Sequence, residues 1–176
     1  MTQFDKIYEI AADNYGIVTF AEAREAGVTG GELSRFVDSG RLEKAGRGIY
    51  RLAKYIPTHF DQYALAVALV GSGSYIHGES VLAMHDLALV NPMKTNVAVV
   101  RRTRKSLPEW ISLAVADKGE VPIVYEGIPS QSVGDAIRYC RKSVMKERLI
   151  DAIHAAVREG LISQAAGIAL RKELDK

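Results

Sequence analysis

The densest chemistry in this chain is cationic. From Arg41 to Lys54 the sequence RLEKAGRGIYRLAK holds five bases, Arg41, Lys44, Arg47, Arg51 and Lys54, against one acid, Glu43. Lysine and arginine at this density suit phosphate. Each phosphate that a cation neutralises releases condensed counterions, and Gly46 and Gly48 let a backbone come close. Lys44 and Arg47 are expected at the tip of a hairpin. Arg41 and Arg51 are expected on its flanks, where the two-residue alternation of a strand decides which face each takes. The 40 residues before this stretch carry seven acids and three bases, a balance of −4. A second cationic knot runs from Lys94 to Lys105, where Lys94, Arg101, Arg102, Arg104 and Lys105 have no acid between them. Arg101, Arg102, Arg104 and Lys105 sit between an apolar run and Pro108, which makes that segment a loop. Such a loop is either simply solvated or a surface for a nucleic acid or an acidic protein.

Three further residues, Thr29, Ser34 and Arg35, sit on one predicted helix. Arg35 can bond a guanine edge bidentately or a phosphate, and Thr29 and Ser34 can donate to phosphates. Glu32 would be repelled by a phosphate backbone, and its place three residues after Thr29 makes it half of a capping box instead.

Catalytic chemistry is poorly served. The segment YIHGESVLAMHDL contains His77, Glu79, His85 and Asp86, which superficially form a metal set. His77 and His85 are eight residues apart, about 12 Å along a helix axis at 1.5 Å per residue, so one helix cannot bring both to one ion. His85 reads as a ring packed at a helix interface. No phosphate-binding glycine loop, dinucleotide fingerprint or nucleophile elbow is present. The nearest approach to a nuclease pattern, Asp117-Lys118-Gly119-Glu120, reads as a turn. The expectation is a protein that is not an enzyme, with no metal and no cofactor.

The elements that must carry these groups follow from periodicity and caps. Phe4, Ile7, Tyr8, Ala11, Ala12 and Tyr15 recur at helical spacing, and Gly16 breaks the row. Thr19 with Glu22 caps a helix over Phe20 to Ala26, and Thr29 with Glu32 caps another through about Ser39. Leu42 and Glu43, a turn over Ala45 to Gly48, and Ile49 to Leu52 then make a hairpin. Two short helices joined by a tight turn and followed by a hairpin make a winged helix-turn-helix, whose second helix has the dimensions of the DNA major groove. Because its helices are acidic, a DNA reading requires the wing to supply the cations.

Pro57 marks the exit from this unit. Beyond it lie helices over Asp61 to Val70 and Glu79 to Leu89, then strands over Asn96 to Arg101, near Ile111 to Ala116, and over Ile123 to Tyr125. Three more helices follow, at Val133 to Lys142, Val144 to Glu159 and Gln164 to Leu174. In the middle one Met145, Leu149, Ile153, Ala156 and Val157 form the expected buried stripe. The fold class is therefore α+β: a winged helix-turn-helix over residues 1–56, then a small mixed α/β domain over residues 57–176.

Nearly half of the residues, 48%, are hydrophobic, enough for packed cores. The longest apolar run, Tyr63 to Val70, is far too short to span a bilayer, and MTQFDKIYE lacks the layout of a secretion signal, so a cytoplasmic protein without a membrane partner is expected. The single cysteine, Cys140, reads as a small buried residue.

The order of these motifs resembles the AbiEi family of antitoxins from bacterial type IV toxin-antitoxin systems. The resemblance runs from YGIVTFAEAREAGVTGGELSRFVDSGRLEKAGRGIYRL, whose wing strand ends on Tyr50-Arg51-Leu52, through Ser80-Val81-Leu82 and His85-Asp86-Leu87, to Gly127-Ile128-Pro129-Ser130-Gln131. Asp86 departs from the family's usual glycine, and QSVGDAIRY departs from its usual Arg-Thr pair. The resemblance implies a DNA-binding transcriptional autorepressor. Its partners would be double-stranded DNA at inverted repeats in its own promoter and a cognate nucleotidyltransferase-like toxin, countered directly or indirectly. Two other classes stay open: a protein-interaction module without DNA binding, and, with less support, a small nuclease using His77, Glu79 or Asp117.

Overall fold

A computed structural model describes all 176 residues. The chain divides into two compact units, Met1–Gly71 and Ser72–Lys176.

The first unit opens with three helices, each started by a threonine capping box. They are α1 (Gln3–Ala12), α2 (Phe20–Glu25) and α3 (Gly30–Asp38), capped by Thr2 with Asp5, Thr19 with Glu22, and Thr29 with Glu32. In each box the threonine oxygen accepts from the third residue's N–H while the acid accepts from the threonine N–H, so two orphan donors are satisfied together. The apolar faces of the helices meet in a core of Ile7, Ala11, Val18, Ala23, Val28, Leu33, Leu42 and Leu52.

A three-stranded sheet completes the winged fold. Strand β1 (Ile17–Thr19), which no periodicity announces, pairs antiparallel with β3 (Ile49–Leu52), and β2 (Leu42–Gly46) pairs with the other edge of β3. Three residues give too short a pattern to register as a strand, and β1 exists because β3 offers it a ladder. Gly16, at φ 74°, turns the chain from α1 into β1, and the Tyr55 ring occupies the space a side chain there would need.

Helix α4 (Asp61–Val70) matches the expected span and belongs to the first unit. The boundary expected after residue 56 would place it in the other. Leu69 of α4 fills the space over Gly46 of the wing, where a Cβ would overlap it.

The second unit is built on a mixed five-stranded sheet of order β6-β5-β4-β8-β7. Its strands are β4 (Tyr75–Ile76), β5 (Thr95–Val99), β6 (Ile111–Val115), β7 (Ile123–Tyr125) and β8 (Ile128–Ser130). The central strand β4 is only two residues long and carries no periodicity that sequence could reveal. Strands β5 and β6 run parallel, joined by the irregular segment 100–110 rather than by a helix. Helices α5 (Glu79–Met84), α6 (Val133–Tyr139), α7 (Lys146–Arg158) and α8 (Gln164–Leu174) supply the rest of the core, in which Tyr75, Ile76, Leu82, Met84, Ile128, Ile137 and Leu149 are fully buried.

Two expectations here are corrected. Helix α5 ends at Met84 instead of running to Leu89: the Leu87 N–H bonds the Leu82 carbonyl (2.7 Å) and the Asp86 N–H bonds that of Ala83 (3.1 Å). These two bonds form a Schellman stop with Asp86 in the left-handed region, φ 54°. Met145 lies outside the buried stripe of α7, 58% exposed, because it is the N-cap residue and precedes the helical rotation that turns Leu149, Ile153 and Ala156 inward.

Candidate nucleic-acid interface

Helix α3 is held by its buried Leu33, which leaves Gly31, Ser34, Arg35 and Asp38 exposed at helical spacing on the opposite face. Ser34 and Arg35 have no side-chain hydrogen bond or ion pair within the molecule. Thr29 differs. Its hydroxyl donates to Glu32 Oε2 (2.8 Å) and accepts from the Glu32 N–H (3.3 Å), so the cap already uses the group expected to face phosphate. The Glu32 carboxyl is held below the ordinary glutamate range, first by the Thr29 backbone N–H and then by its hydroxyl. Glu32 thus has the capping part that its spacing suggests.

The wing closes through a two-residue turn, Arg47 and Gly48, with Gly46 paired to Ile49 and a bulge between Lys44 and Gly46. Gly48 takes φ 70°, which an L side chain resists, and its carbonyl accepts from the Phe20 N–H (2.7 Å). The tip is therefore pinned to the start of α2. Arg47 projects from the turn itself and is exposed. Lys44 was expected beside it at the tip but lies back on β2, opposite Tyr50, and is also exposed. Neither has an intramolecular partner.

The flanking arginines are placed differently. Arg41 sits at the base of the hairpin, with its N–H on the Phe36 carbonyl and its guanidinium 5.0 Å from the centre of the Phe4 ring. That base is about 13 Å from the tip at 3.3 Å per residue of strand. Arg51 is half-buried on the middle strand, between Ile17 on one side and Glu43 on the other. Glu43 stands directly opposite it in the ladder, but the two side chains form no ion pair.

Phe20, the first residue of α2, is a member of this surface that its helical periodicity does not single out. It is 41% exposed, and its ring edge lies 3.4 Å from where a Cβ on Gly30 would stand. Phe20 therefore fills the notch between the wing turn and the first turn of α3. The available signal was an aromatic directly after a capping threonine, at a helix position that does not face the core.

In the second unit Arg101, Arg102, Arg104 and Lys105 are all exposed on the 100–110 connection, where the Lys105 N–H bonds Thr103 Oγ1 (3.2 Å). The histidines do not converge. The His77 ring packs edge-on against Tyr139, with centroids 4.3 Å apart, and His85 lies 4.2 Å from the Tyr125 ring, a strand neighbour rather than the expected helix interface. Cys140 is fully buried, and burial pushes its thiol up to about 12.

The winged unit thus brings three elements to one end: the N-terminal half of α3, the Arg47 turn, and Phe20 between them. Residues 5–53 match the AbiEi antitoxin family. The family model is described as "Transcriptional regulator, AbiEi antitoxin", and the matched stretch runs from α1 through β3, which includes every element of the winged helix-turn-helix. The AbiEi match does not extend to the second unit. No curated protein matches the chain. Among solved structures, the chain is similar to the RV2827C protein from Mycobacterium tuberculosis, at 13% identity over 98% of this chain and 81% of that one, with a TM-score of 0.46.

Proposed function

We propose that this chain is a DNA-binding antitoxin that represses its own promoter. In this reading α3 enters the major groove with Ser34 and Arg35 toward the bases, and Arg47 and Lys44 of the wing neutralise phosphates alongside. The observation that carries the proposal is the set of four exposed, unpartnered donors, Ser34, Arg35, Lys44 and Arg47, on a winged unit that matches AbiEi regulators. The Thr29 hydroxyl stays in its cap, so at this helix start the contact falls to the backbone N–H groups of Gly30 and Gly31, which favour an anion. Arg41 and Arg51 serve the wing's own packing. Arg101, Arg102, Arg104 and Lys105 form a second phosphate-binding surface. The operator is an inverted repeat upstream of the chain's own reading frame, and the protein partner is a nucleotidyltransferase-like toxin encoded beside it.

Fluorescence anisotropy with a duplex of the upstream repeat and a shuffled duplex of equal composition tests the DNA claim. The repeat should bind about a thousandfold tighter or better at physiological salt. Equal affinity for both would overturn sequence-specific repression. A second reading, a protein-interaction module, is favoured by the first unit's own charge, eight Lys and Arg against nine Asp and Glu. Capture of the neighbouring toxin together with no duplex binding at low salt would select it.

A further inference from the structure

Strand β6 closes one end of the second unit's sheet and pairs only with β5, in parallel, from Thr95 opposite Ile111 to Val99 opposite Val115. The Thr95 N–H bonds the Trp110 carbonyl (2.8 Å) and the Ala116 N–H bonds the Val99 carbonyl (2.9 Å). Backbone groups alternate in direction along a strand, so Ser112 and Ala114 also face β5, while Ile111, Leu113 and Val115 turn theirs away. The Ile111 N–H is taken up by the Pro108 carbonyl (3.1 Å). The Ile111 carbonyl and both backbone groups of Leu113 and Val115 have no partner in the protein.

Every other sheet edge is blunted. Strand β2 carries Glu43, Lys44 and a bulge, and β1 and β7 are three residues each, with Pro122 directly before β7. The five residues of β6, ISLAV, include no charge, proline or bulge. Leu113 and Val115 are 38% and 50% exposed, although Val97 and Val99, their neighbours on the same face, are buried. The apolar face therefore runs past the part of the sheet that its own unit covers.

Unpaired backbone groups in this alternating pattern fit another strand, and the edge sequence selects which. Its outward residues are symmetric about Leu113, with an apolar residue on either side. We propose that β6 pairs antiparallel with β6 of a second copy, across a two-fold axis at Leu113. Leu113 then opposes Leu113 and Ile111 opposes Val115, all on one face. About four cross-strand hydrogen bonds form, two between the leucines and one at each end from the Val115 N–H to the Ile111 carbonyl. A slip of two residues would set Val115 against Glu109 or Ile111 against Asp117, apolar against acid, so the register is fixed. In the proposed register the exposed Glu109 and Asp117 meet only beyond the strand, which ends the pairing there. The contact is isologous, so it closes as a dimer and consumes the edge.

This inference stands apart from the DNA reading and is tested without DNA. So short an interface predicts a dimer that dissociates on dilution, visible by sedimentation velocity of the full chain. Leu113→Lys sets two ammonium groups opposite each other at the axis and should weaken the dimer about tenfold or more. Val124→Lys, on the other edge of the sheet, should leave it unchanged. Leu113→Cys should form a covalent dimer under mild oxidation, because directly opposed residues stand about 5.5 Å apart between Cα atoms, within disulfide range. Wild type should not, since its one cysteine, Cys140, is buried. A wild type that stays monomeric at every concentration, or an equally tight dimer in Leu113→Lys, would overturn the proposal. If Leu113→Lys fails to fold, the cross-link decides, and a Leu113→Cys variant that forms no covalent dimer would contradict the pairing.

Discussion

The side chains that matter most here act through the backbone groups they satisfy. Thr19 and Glu22 close α2 with bonds of 2.7 and 3.2 Å, and Thr19→Ala should cost about 1 kcal/mol in urea unfolding. The corresponding acids in the other boxes, Asp5 and Glu32, both have carboxyl pKa values lowered in the folded state, first by a threonine backbone N–H. Their contribution is therefore present above the unfolded carboxylate range near 4 and is lost as pH falls through the lower folded values. Unfolding followed from pH 6 to pH 3 should show stability decline faster in wild type than in a Glu32→Gln variant. Asp86 presents the opposite case, a non-glycine residue at the left-handed position of a Schellman stop. Asp86→Gly should raise stability by up to about 1 kcal/mol by removing that strain, a result a thermal melt can check. The capping residues were legible in the sequence because a threonine and an acid three apart state their purpose locally. Phe20 was not, since its exposure depends on where the wing returns.

Among the elements, long periodic ones were legible and short ones were not. Helices α4 and α8 stand where their apolar spacing places them, Asp61–Val70 and Gln164–Leu174. Strands β1 and β4, three and two residues long, are defined by their neighbours' hydrogen bonds and left no pattern of their own. The wing was recognisable from its glycines, but its bulge between Lys44 and Gly46 was not, and that bulge moves Lys44 off the tip. The wing also depends on its surroundings, because its turn is pinned to the Phe20 N–H and the Tyr55 ring closes over Gly16. Gly16→Ala demands both an unfavourable φ and space that Tyr55 occupies, so it should destabilise the first unit by at least about 1–2 kcal/mol. Equal denaturation midpoints for this variant and wild type would show that the turn from α1 to β1 tolerates a side chain.

Across the whole molecule, charge is distributed unevenly. The first unit carries eight bases and nine acids, while the second carries fifteen bases and twelve acids, four of those bases on the 100–110 connection. A chain whose DNA-reading unit is close to neutral cannot rely on its overall field, so affinity must come from a few cations placed at the contact. The Arg47 turn and Lys44 are those cations in this account, since both are exposed and without a partner in the molecule, whereas the Arg41 guanidinium lies 5.0 Å from the Phe4 ring and Arg51 is half-buried. The most direct test is the salt dependence of binding to the upstream duplex, measured for wild type and for Lys44→Ala/Arg47→Ala. Each lost phosphate contact should lower the slope of log K against log salt by about 0.9, so the double variant should lose close to 2 in slope along with affinity for every duplex. An unchanged slope would contradict the account and remove the wing from the DNA contact.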